Sequence, residues 1–512
     1  MNRRRFLTST ATALATTCAS PRLSQWLEPA HGFPPSLLKN DPYIENPPIA
    51  GYHSASPNAY EAFQDMKFGL RIHWGIYSIW HRGAESWPFL QMTFDDRRKY
   101  NELYKTWNPS GFDANSWMDT FRDSGMKMFA FTTKHHEGFS MFDTRTRVKS
   151  RASWTALGGP KTEPCDLAYS IMETPFRRDI LKELCDAAHK RDIKIDLYFS
   201  HPDWYDADFR PYVAHPLQVP SSAKLLMQRD LDMIRRTYGA RARDVIVPDP
   251  SDAEVKRMMQ RHRAQLVELL TNYGKIDMIC LDMWLGPRVW PELRKTIMKL
   301  RELQPDVMLR DRGIGNYGDY YTPERVVPGS KEASDKPWFC INPLGTDFSY
   351  EADAAKYKGT EWIVQNLADT VAKGGGLMIG VGPSSHGEFH PEAVRQMKGA
   401  GSWLKVNGEA IYATRPRDGT HWSGGDAIRY TRSKDHRFVY AIMTKWPGRQ
   451  VTLKTVRPRP NSEITLLGSN APLQWSFDSS QGTTITFPEN LYQSANRPCE
   501  YAWSLKIQTT EA

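Results

Sequence analysis

The sequence lacks the motifs that mark several large classes of protein. Its six cysteines include no C-x-x-C pair, which argues against a zinc finger and against a dithiol redox site. No G-x-G-x-x-G motif follows the first predicted strand and no G-x-S-x-G motif occurs, which argues against a dinucleotide-binding fold and a serine hydrolase. No run reaches the roughly 18 apolar residues that a membrane span needs. We therefore expect no membrane span and no cofactor.

Charge and composition further restrict the classes of partner that the protein can bind. The formal net charge of +9 arises from 67 basic and 58 acidic residues, and the basic clusters contain no interleaved aromatic residues, which argues against a nucleic-acid partner. The chain contains 17 tryptophans. Tryptophan is frequent in carbohydrate sites because its ring stacks on the apolar face of a sugar, although burial in a core is its commoner use. The length of 512 residues predicts two domains.

The N-terminus resembles a bacterial export signal. Arg3-Arg4-Arg5-Phe6-Leu7 precedes a short, weakly apolar stretch over residues 8–19, as in twin-arginine signals. We expect residues 1–30 to be this signal and a linker, and the protein to be periplasmic, secreted or attached to the cell surface. Cys18 is a candidate site for a lipid anchor, although the residues before it form a poor lipidation signal. The sequence does not predict an oligomeric state.

The stretch IDMICLDMW (276–284) is a nearly continuous apolar run, of the kind that forms a strand buried on both faces. A carboxylate, Asp282, stands near its C-terminal end. A charge in this position is costly unless it is paired or used, and barrel enzymes place their catalytic groups at the C-terminal ends of strands. The alternative is an aspartate that caps the helix that follows.

Predicted strands and helices alternate over most of the chain. The predicted strands cover 66–75, 128–133, 193–199, 276–284, 307–312 and 377–383, and the predicted helices cover 116–124, 179–190, 253–273, 290–303 and 362–372. Such alternation is typical of parallel β/α units, and in a barrel the polar residues after the strands converge at one mouth. We therefore predict an α/β fold with a (β/α)8-like TIM barrel over residues 31–416. The β-rich runs that follow, separated by Gly, Pro, Asn and Asp, predict a C-terminal antiparallel β-sandwich over residues 417–512.

Three histidines and three carboxylates are predicted to lie at the mouth of this barrel. His135 and His136 are adjacent and point to opposite faces of a strand, which argues against a shared metal ion. Together with His73 they favour hydrogen bonds to a polyhydroxylated ligand, with a purely structural role as the alternative. The carboxylates are Asp282, Glu324 and Glu85. They suit glycoside hydrolysis, which in its retaining form needs an ionised nucleophile and a protonated acid about 5–5.5 Å apart.

Four segments closely resemble the α-L-fucosidases of glycoside hydrolase family 29. They are KFGLRIHWG (67–75), TTKHHEGF (132–139), RDI (178–180) and NGEAIY (407–412). The resemblance covers about residues 60–416, and the His-Trp-Gly and His-His segments are its most specific parts. It implies a retaining, exo-acting enzyme. Such an enzyme removes terminal α-L-fucose from a fucosylated oligosaccharide or glycoconjugate through a covalent glycosyl-enzyme intermediate.

The resemblance also implies roles for residues at the mouth. Asp282 falls at the position of the family's nucleophile, and Glu324 falls where some members carry the general acid/base. Glu332 and Glu85 are reserve candidates for the acid/base, and a rim glutamate paired with an arginine is the alternative role for Glu324. The residues implied in substrate binding are His73, Trp74, Glu85, Trp87, His135, His136, Tyr198, Arg312 and Phe348. The three aromatic rings Trp74, Trp87 and Phe348 would form an apolar wall for the sugar, with plain core packing as the alternative.

The sequence departs from the family pattern at several positions. Many members carry Trp two residues before the nucleophile, where this chain has Cys280. Phe339 stands where many members have Glu after a Trp, and Gly376 stands where Asn is usual. The chain also looks longer at 147–176 and 207–249, on loops at which insertions can reshape the mouth. Two further hypotheses therefore stay open: a related exo-glycosidase for another sugar such as α-L-galactose, and a glycan-binding protein on an inactive glycosidase scaffold.

Overall fold

The computed structural model describes residues 43–153, 161–209, 250–283, 285–329, 336–417, 421–469 and 471–510. The predicted export signal with Cys18, the reserve candidate Glu332, Trp284 and most of the insertion at 207–249 lie outside the described residues. Within these ranges, no helix combines the length and the apolar character that crossing a membrane requires.

The secondary structure alternates through the first four fifths of the chain and is almost all β after it. The strands are β1 (Phe68–Ile72), β2 (Met128–Lys134), β3 (Val148–Ser153), β4 (Lys161–Leu167), β5 (Lys194–Ser200), β6 (Met278–Asp282), β7 (Met308–Leu309), β8 (Phe339–Pro343), β9 (Gly376–Gly380), β10 (Thr414–Pro416), β11 (Ile428–Ser433), β12 (Phe438–Met443), β13 (Gln450–Leu453), β14 (Ile464–Leu466), β15 (Gln474–Asp478), β16 (Gly482–Thr486) and β17 (Trp503–Gln508). The helices are α1 (Pro57–Met66), α2 (Tyr77–Trp80), α3 (Phe94–Asn101), α4 (Ala114–Asp123), α5 (Ile180–His189), α6 (Asp252–Asn272), α7 (Trp290–Leu303), α8 (Thr360–Ala372) and α9 (Pro391–Asn407).

Seven strands form one parallel sheet in the order β7-β6-β5-β2-β1-β9-β8. The segment 320–324 lies between the two outer strands of this sheet. Its Tyr320 forms a parallel bridge to Arg310, just after β7, and its Glu324 forms one to Ile341 of β8. The segment therefore acts as an irregular eighth strand, and the predicted (β/α)8-like barrel is confirmed.

The barrel strands are buried on both faces, which is why they read as continuous apolar runs. Every residue of β1, β2, β6 and β9 is buried. At the N-terminal ends of the strands, methionine and aromatic side chains fill the barrel, and α1 adds Phe63 and Met66 to them. The Phe63 ring centre lies 5.0 Å from those of Tyr320 and Phe339. Helix α1 therefore closes the bottom of the barrel.

Helix ends follow capping residues that are visible in the sequence. Asp179 accepts a hydrogen bond from the Lys182 N–H at 3.0 Å and so caps α5. Ser251 and Glu254 form a reciprocal capping box at the start of α6. The apolar side chains of α5 that are buried against the sheet are Ile180, Leu181, Leu184, Cys185, Ala187 and Ala188. Full burial of each large one stabilises the fold by about 1.5–3 kcal/mol.

The C-terminal strands form two antiparallel sheets, β10-β11-β12-β17-β14 and β13-β16-β15. They enclose a second apolar core, which includes Tyr430, Leu453, Ile485 and Leu505. The predicted antiparallel sandwich is confirmed, and its first sheet begins with β10, just before residue 417. The domain bounds 31–416 and 417–512 stay predictions.

Predicted and observed elements differ most where polar residues interrupt the apolar pattern. The predicted helix 290–303 coincides with α7, whereas the predicted strand 307–312 forms only the two residues of β7. Within the insertion at 147–176, β3 and β4 pair as an antiparallel hairpin. The sequence pattern does not predict this hairpin because β3 is polar and only two of its residues, Val148 and Ala152, are buried.

Candidate active site

The C-terminal ends of the barrel strands surround Asp282, the last residue of β6, with hydrogen-bond donors. Tyr198 of the neighbouring β5 donates to Asp282 Oδ2 at 2.6 Å. Arg312 donates to Oδ1 at 2.7 Å, and Arg310 donates to the same oxygen at 3.2 Å. His136 Nε2 lies 3.8 Å from Oδ2. Asp282 is therefore a buried carboxylate whose two oxygens both face polar partners.

These partners keep Asp282 ionised. Burial by itself would raise the pKa of Asp282, but the charges of Arg312 and Arg310, together with the Tyr198 hydrogen bond, hold that pKa well below its usual range. An ionised carboxylate in a site shielded from water is chemically suited to attack an electrophilic carbon.

Glu324, on the segment that closes the barrel, is held by the same two arginines. Arg312 donates to Glu324 Oε1 at 2.6 Å, and Arg310 donates to it at 3.0 Å. Each guanidinium group thus contacts Asp282 with one terminal nitrogen and Glu324 with the other, a fork geometry that arginine offers and lysine does not. Two carboxylates that are distant in sequence become neighbours in space. The Glu324 side chain is 20% exposed against 8% for Asp282, so Glu324 lies on the solvent side of the pair.

Glu85 is a third carboxyl group at the mouth. Its side chain is buried, and its Oε1 has no hydrogen-bond partner among the described residues. Burial, followed by the negative charges of Asp347 and Glu324, raises the pKa of Glu85 to about 8, although Arg325 opposes the rise. Glu85 therefore holds its proton at neutral pH.

His73 is fixed in one tautomer by its contacts. The Thr132 hydroxyl donates to Ile72 O at 2.9 Å and lies 3.0 Å from His73 Nδ1. Because a hydroxyl has one proton to donate, His73 Nδ1 must carry the hydrogen of this second contact. Burial lowers the pKa of His73 well below its ordinary value, so the ring is neutral and its Nε2 is an acceptor.

His135 and His136 follow the last residue of β2, Lys134, so the prediction that they point to opposite faces of a strand is wrong. Their rings lie side by side, next to that of His73. The ring centres of His73 and His135 are 5.3 Å apart, and those of His135 and His136 are 4.2 Å apart. Ser86 Oγ lies 2.5 Å from His135 Nδ1. Burial lowers the pKa of His135 well below its ordinary value, so this ring is neutral as well. Among the described residues, no group of three His, Cys, Asp or Glu side chains is arranged to hold a metal ion.

The structure brings two of the three predicted wall aromatics to this cluster. The Trp87 ring lies 4.5 Å from the His136 ring, and the Phe348 ring lies 5.7 Å from the His73 ring. Trp74 lies elsewhere. It is fully buried, and it packs in an aromatic cluster made of Trp107, Phe112 and Trp117. His73 and Trp74 follow the last residue of β1, and their side chains point into different surroundings, His73 to the histidine cluster and Trp74 to the aromatic cluster.

The backbone is strained at three places around the carboxylates. Met283, which follows Asp282, has φ +66°, and Arg325, which follows Glu324, has φ +64°. Glu85 itself has φ +24°. Positive φ is unfavourable for residues with a side chain, and such conformations concentrate at functional sites. Two of these residues directly follow Asp282 and Glu324, and the third, Glu85, lies in the turn after α2.

The departures from the family pattern have structural counterparts. Cys280 Sγ accepts hydrogen bonds from Arg71 at 3.1 Å and from Arg310 at 3.2 Å. A Cβ atom at Gly376 would lie only 2.3 Å from the Phe339 ring. The Phe339 and Gly376 departures therefore compensate each other, because the large ring fills the space that glycine leaves.

Sequence reasoning missed Arg310, Ser86 and Trp204 as members of this cluster. Arg310 stands two residues before Arg312, so both side chains share one face of the chain, and this spacing is the signal that was available. Trp204 lies 5.3 Å from the His136 ring and 5.6 Å from the Trp87 ring. Its position after β5 carries no comparable signal, because the turn that follows the strand decides where the ring points.

Known protein families match both parts of the chain. Residues 50–409 match the family model of α-L-fucosidase, and residues 424–508 match that of the α-L-fucosidase C-terminal domain. Human tissue α-L-fucosidase is 28% identical over 469 residues, which cover 87% of this chain and 88% of that protein. An α-L-fucosidase of Branchiostoma floridae is 26% identical over 472 residues, which cover 87% of this chain and 92% of that protein.

Solved structures share the fold. α-L-Fucosidase isoenzyme 1 from Paenibacillus thiaminolyticus matches with a TM-score of 0.69 at 23% identity, over 88% of this chain and 99% of that chain. A family 29 α-L-fucosidase from Bacteroides thetaiotaomicron, trapped as a covalent intermediate with 2-fluoro-fucosyl fluoride, matches with a TM-score of 0.68 at 21% identity, over 89% of this chain and 97% of that chain. These structures establish the fold, and the family model covers well over half of the sequence. The chain belongs to the α-L-fucosidase family of glycoside hydrolases.

Proposed function

We propose that this protein is a retaining, exo-acting α-L-fucosidase, with Asp282 as the nucleophile and Glu324 as the general acid/base. The observation that carries the proposal is the pairing of these two carboxylates through Arg310 and Arg312 at the barrel mouth. A double displacement needs two such groups about 5–5.5 Å apart.

In the first step, an oxygen of Asp282 attacks the anomeric carbon of the fucosyl residue. The bond between that carbon and the leaving oxygen breaks, and its electrons stay with the oxygen, which takes the proton of Glu324. The product is a β-linked fucosyl ester of Asp282. The low pKa of Asp282 supports this role because the group is available as an anion.

In the second step, Glu324 accepts a proton from water while the water oxygen attacks the anomeric carbon. The ester bond to Asp282 breaks, and the carboxylate returns to its arginine partners. Two inversions leave the released fucose in the α configuration of the substrate. The position of Glu324 on the solvent side of the pair suits a group that must meet both the leaving oxygen and the incoming water.

The surrounding side chains fit recognition of a neutral deoxysugar. The neutral ring of His73 offers its acceptor Nε2 to a sugar hydroxyl, and that of His135, whose Nδ1 contacts Ser86, offers its Nε2. The rings of Trp87 and Phe348 can cover an apolar face and a methyl group. Fucosylated oligosaccharides or glycoconjugates are thus the proposed substrates.

Hydrolysis of an aryl α-L-fucoside tests the proposal, with the first anomer released identified by NMR. The wild type should release α-L-fucose. Asp282→Gly should lose about 10⁴–10⁶-fold in kcat, and azide should restore turnover with β-L-fucosyl azide as the product. Full activity of Asp282→Gly would remove Asp282 from the role of nucleophile.

A second experiment distinguishes Glu324 from Glu85 as the acid/base. Glu85 is the competitor because its raised pKa keeps it protonated at neutral pH. Loss of the true acid/base should cost about 10²–10⁴-fold on a poor leaving group and much less on an activated one. Azide should then give α-L-fucosyl azide with that variant. We expect this pattern for Glu324→Ala; finding it for Glu85→Ala instead would exchange the two assignments.

The same assays separate the two remaining hypotheses. An aryl α-L-galactoside differs from the fucoside by one added hydroxyl at C6, so faster turnover of the galactoside would identify the other sugar as the substrate. A wild type that binds fucose and hydrolyses neither glycoside would indicate a glycan-binding protein.

We also propose that the protein is exported by the twin-arginine route. The support is the Arg3-Arg4 pair two residues before Phe6. Expression in a bacterium with that translocase should place the mature chain outside the cytoplasm. Replacing Arg3 and Arg4 together by Lys should retain the protein in the cytoplasm, whereas Arg5→Lys is the matched control and should be exported. Export of both variants alike would contradict this route.

A further inference from the structure

Arg310 is an unusual side chain for the interior of a barrel. It is fully buried, and its guanidinium group contacts three side chains at once. One terminal nitrogen lies 3.2 Å from both Asp282 Oδ1 and Cys280 Sγ, and the other donates to Glu324 Oε1 at 3.0 Å. Arg312 also reaches both carboxylates, but its side chain is 17% exposed. Arg312 therefore binds the carboxylate pair from the solvent side, and Arg310 binds it from the barrel interior.

Cys280 makes room for this inner arginine. It stands two residues before Asp282 on β6 and so points to the same face of the sheet. Its sulfur lies within 3.2 Å of Arg310 and within 3.1 Å of Arg71. An indole in this position, as in many members of the family, would occupy the space that the two guanidinium groups fill. The small side chain and the inner arginine therefore belong together.

The buried charges below the nucleophile are balanced. Asp196 on β5 is fully buried, and its charge interacts with those of Arg71 and Arg310. Arg71 also stacks on the Tyr198 ring, 4.6 Å from its centre. A buried cation persists only with partners, and removal of one partner is strongly destabilising. The buried charge of Arg310 is therefore stabilised by the carboxylates of the active site, and Arg310 in turn holds those carboxylates in place.

We propose, on the basis of the function proposed above, that Arg310 is a positioning residue that holds Asp282 and Glu324 in register from inside the barrel, and that Cys280 is its anchor. The arrangement couples the two carboxylates. When Asp282 becomes a fucosyl ester it loses its negative charge, and the two arginines are left with Glu324 as their anionic partner at this site. This favours Glu324 as a carboxylate, which is the form that accepts a proton from water in the second step.

A pH experiment on Asp282 has to consider every charged or titratable group that interacts with it. Direct partners are Arg310, Arg312, Tyr198 and His136. The charge of Asp282 also acts on His73, His135 and His201, whose pKa values burial lowers, that of His201 to about 4. Around Glu324 lie Arg310, Arg312, Glu85 and Cys340. Of all these groups, only the two arginines bridge both carboxylates in the contacts described.

The test compares Arg310→Met and Arg310→Lys with the wild type. Arg310→Met should lower kcat/KM on an aryl α-L-fucoside by about 10²–10³-fold, the usual effect of removing one preorganised donor. The acid limb of its pH profile should move to higher pH because Asp282 loses a cation. Arg310→Lys keeps the charge but cannot fork between two carboxylates, so it should restore the acid limb and recover kcat only in part. If Arg310→Met does not fold, Arg310→Lys carries the test.

Arg301→Lys is the matched control. Arg301 is also a buried arginine of the barrel, paired with the buried carboxylate of Asp319, but away from the active site. Its replacement should lower the melting temperature and leave the acid limb in place. An acid limb and kcat of the wild type in Arg310→Met, or an equal shift of the acid limb in Arg301→Lys, would overturn the assignment.

Failure of the positioning role can be distinguished from failure of the proposed function. A wild type without activity on any α-L-fucoside defeats the function, and the positioning role is then decided by the melting temperature against pH. Because the charge of Arg310 stabilises ionised Asp282, the difference in melting temperature between wild type and Arg310→Met should be largest at neutral pH and shrink below the ordinary carboxyl range. A difference that does not depend on pH would reject the positioning role.

Discussion

The barrel and the sandwich bury different kinds of side chain. Beneath the mouth of the barrel, the buried polar residues include Arg71, Asp196, His201, Asp282 and Arg310. In the described part of the sandwich, from β10 onward, the buried polar residues are Thr414, Thr431, Thr483, Ser504 and Thr509, and the charged residue buried there is Arg417, at its start.

The difference in buried polar groups indicates different roles for the two cores. A buried hydroxyl is satisfied by a single backbone carbonyl, as when Thr483 donates to Val456 O at 2.7 Å. A buried charge needs several partners, and a buried ion pair adds little net stability compared with apolar packing. The sandwich is therefore built for stability, whereas the upper barrel gives up stability for a reactive arrangement of charges.

The strongest test of this contrast replaces a carboxylate by an amide at Asp282, the last residue of β6, and at Asp277, the residue just before β6. Asp282→Asn should abolish measurable turnover, a loss of about 10⁴-fold or more in kcat, because an amide is not a nucleophile here. Asp277→Asn is the matched control. Asp277 precedes the same strand and accepts from the Ile195 N–H at 3.0 Å, at the end of the barrel that serves stability. Its kcat/KM should be that of the wild type, and equal losses in both variants would break the comparison.

A core substitution in the sandwich should do the reverse. Leu505→Ala removes a fully buried side chain from the apolar core and should lower the free energy of unfolding by about 2–5 kcal/mol. Urea denaturation measures this loss. The kcat/KM of the folded fraction on an aryl fucoside should not change, and a fall in it would show that the sandwich supports the active site directly.

The pH dependence of stability should differ between the two cores. Burial raises the pKa of Glu137 in the barrel from 4.5 to about 8. The folded state thus binds the proton more tightly than the unfolded chain, so the contribution of Glu137 is fully present below pH 4.5 and is lost as pH rises through about 8. As pH rises across this range, the free energy of unfolding of Glu137→Gln should increase relative to that of the wild type by on the order of a few kcal/mol. In the sandwich, the cost of Thr483→Val should not vary with pH, since a hydroxyl does not titrate.

The smallest expected effect concerns the paired departures in the lower barrel. Gly376→Asn places new atoms against the Phe339 ring and should cost about 1–3 kcal/mol through overpacking. Combining it with Phe339→Glu restores the pair that is usual in the family and should cost less than the sum of the two single changes. Additive costs in a double-mutant cycle would show that the two positions do not compensate each other.

Local signals predicted most of the fold. Continuous apolar runs predict β2, β5 and β6 because a parallel strand is buried on both faces. Helical spacing and Asp179 predict α5 nearly to the residue. Failures occur where local signals are weak. The two-residue β7 and the irregular closing strand 320–324 form because their neighbours in the sheet offer hydrogen bonds, and a sequence pattern contains no record of that.

The candidate site shows the same division. The sequence singled out His73, His135, Asp282 and Glu324, which the structure brings together at the mouth. It also singled out Trp74, which the structure places in a separate aromatic cluster. Arg310 was missed although it stands two residues before Arg312, because an arginine after a short strand looks like a surface residue until its buried partners are known.

The sequence by itself determined most of the strands and several of the helices of the barrel, the two cores and the chemical types at the ends of the barrel strands, because these depend on short-range periodicity and composition. Only the tertiary structure decided that Asp282 and Glu324 share two arginines, that Glu85 keeps its proton and that Cys280 makes room for Arg310. Those properties arise from distances and burial between residues far apart in the chain, and electrostatic energy depends on both.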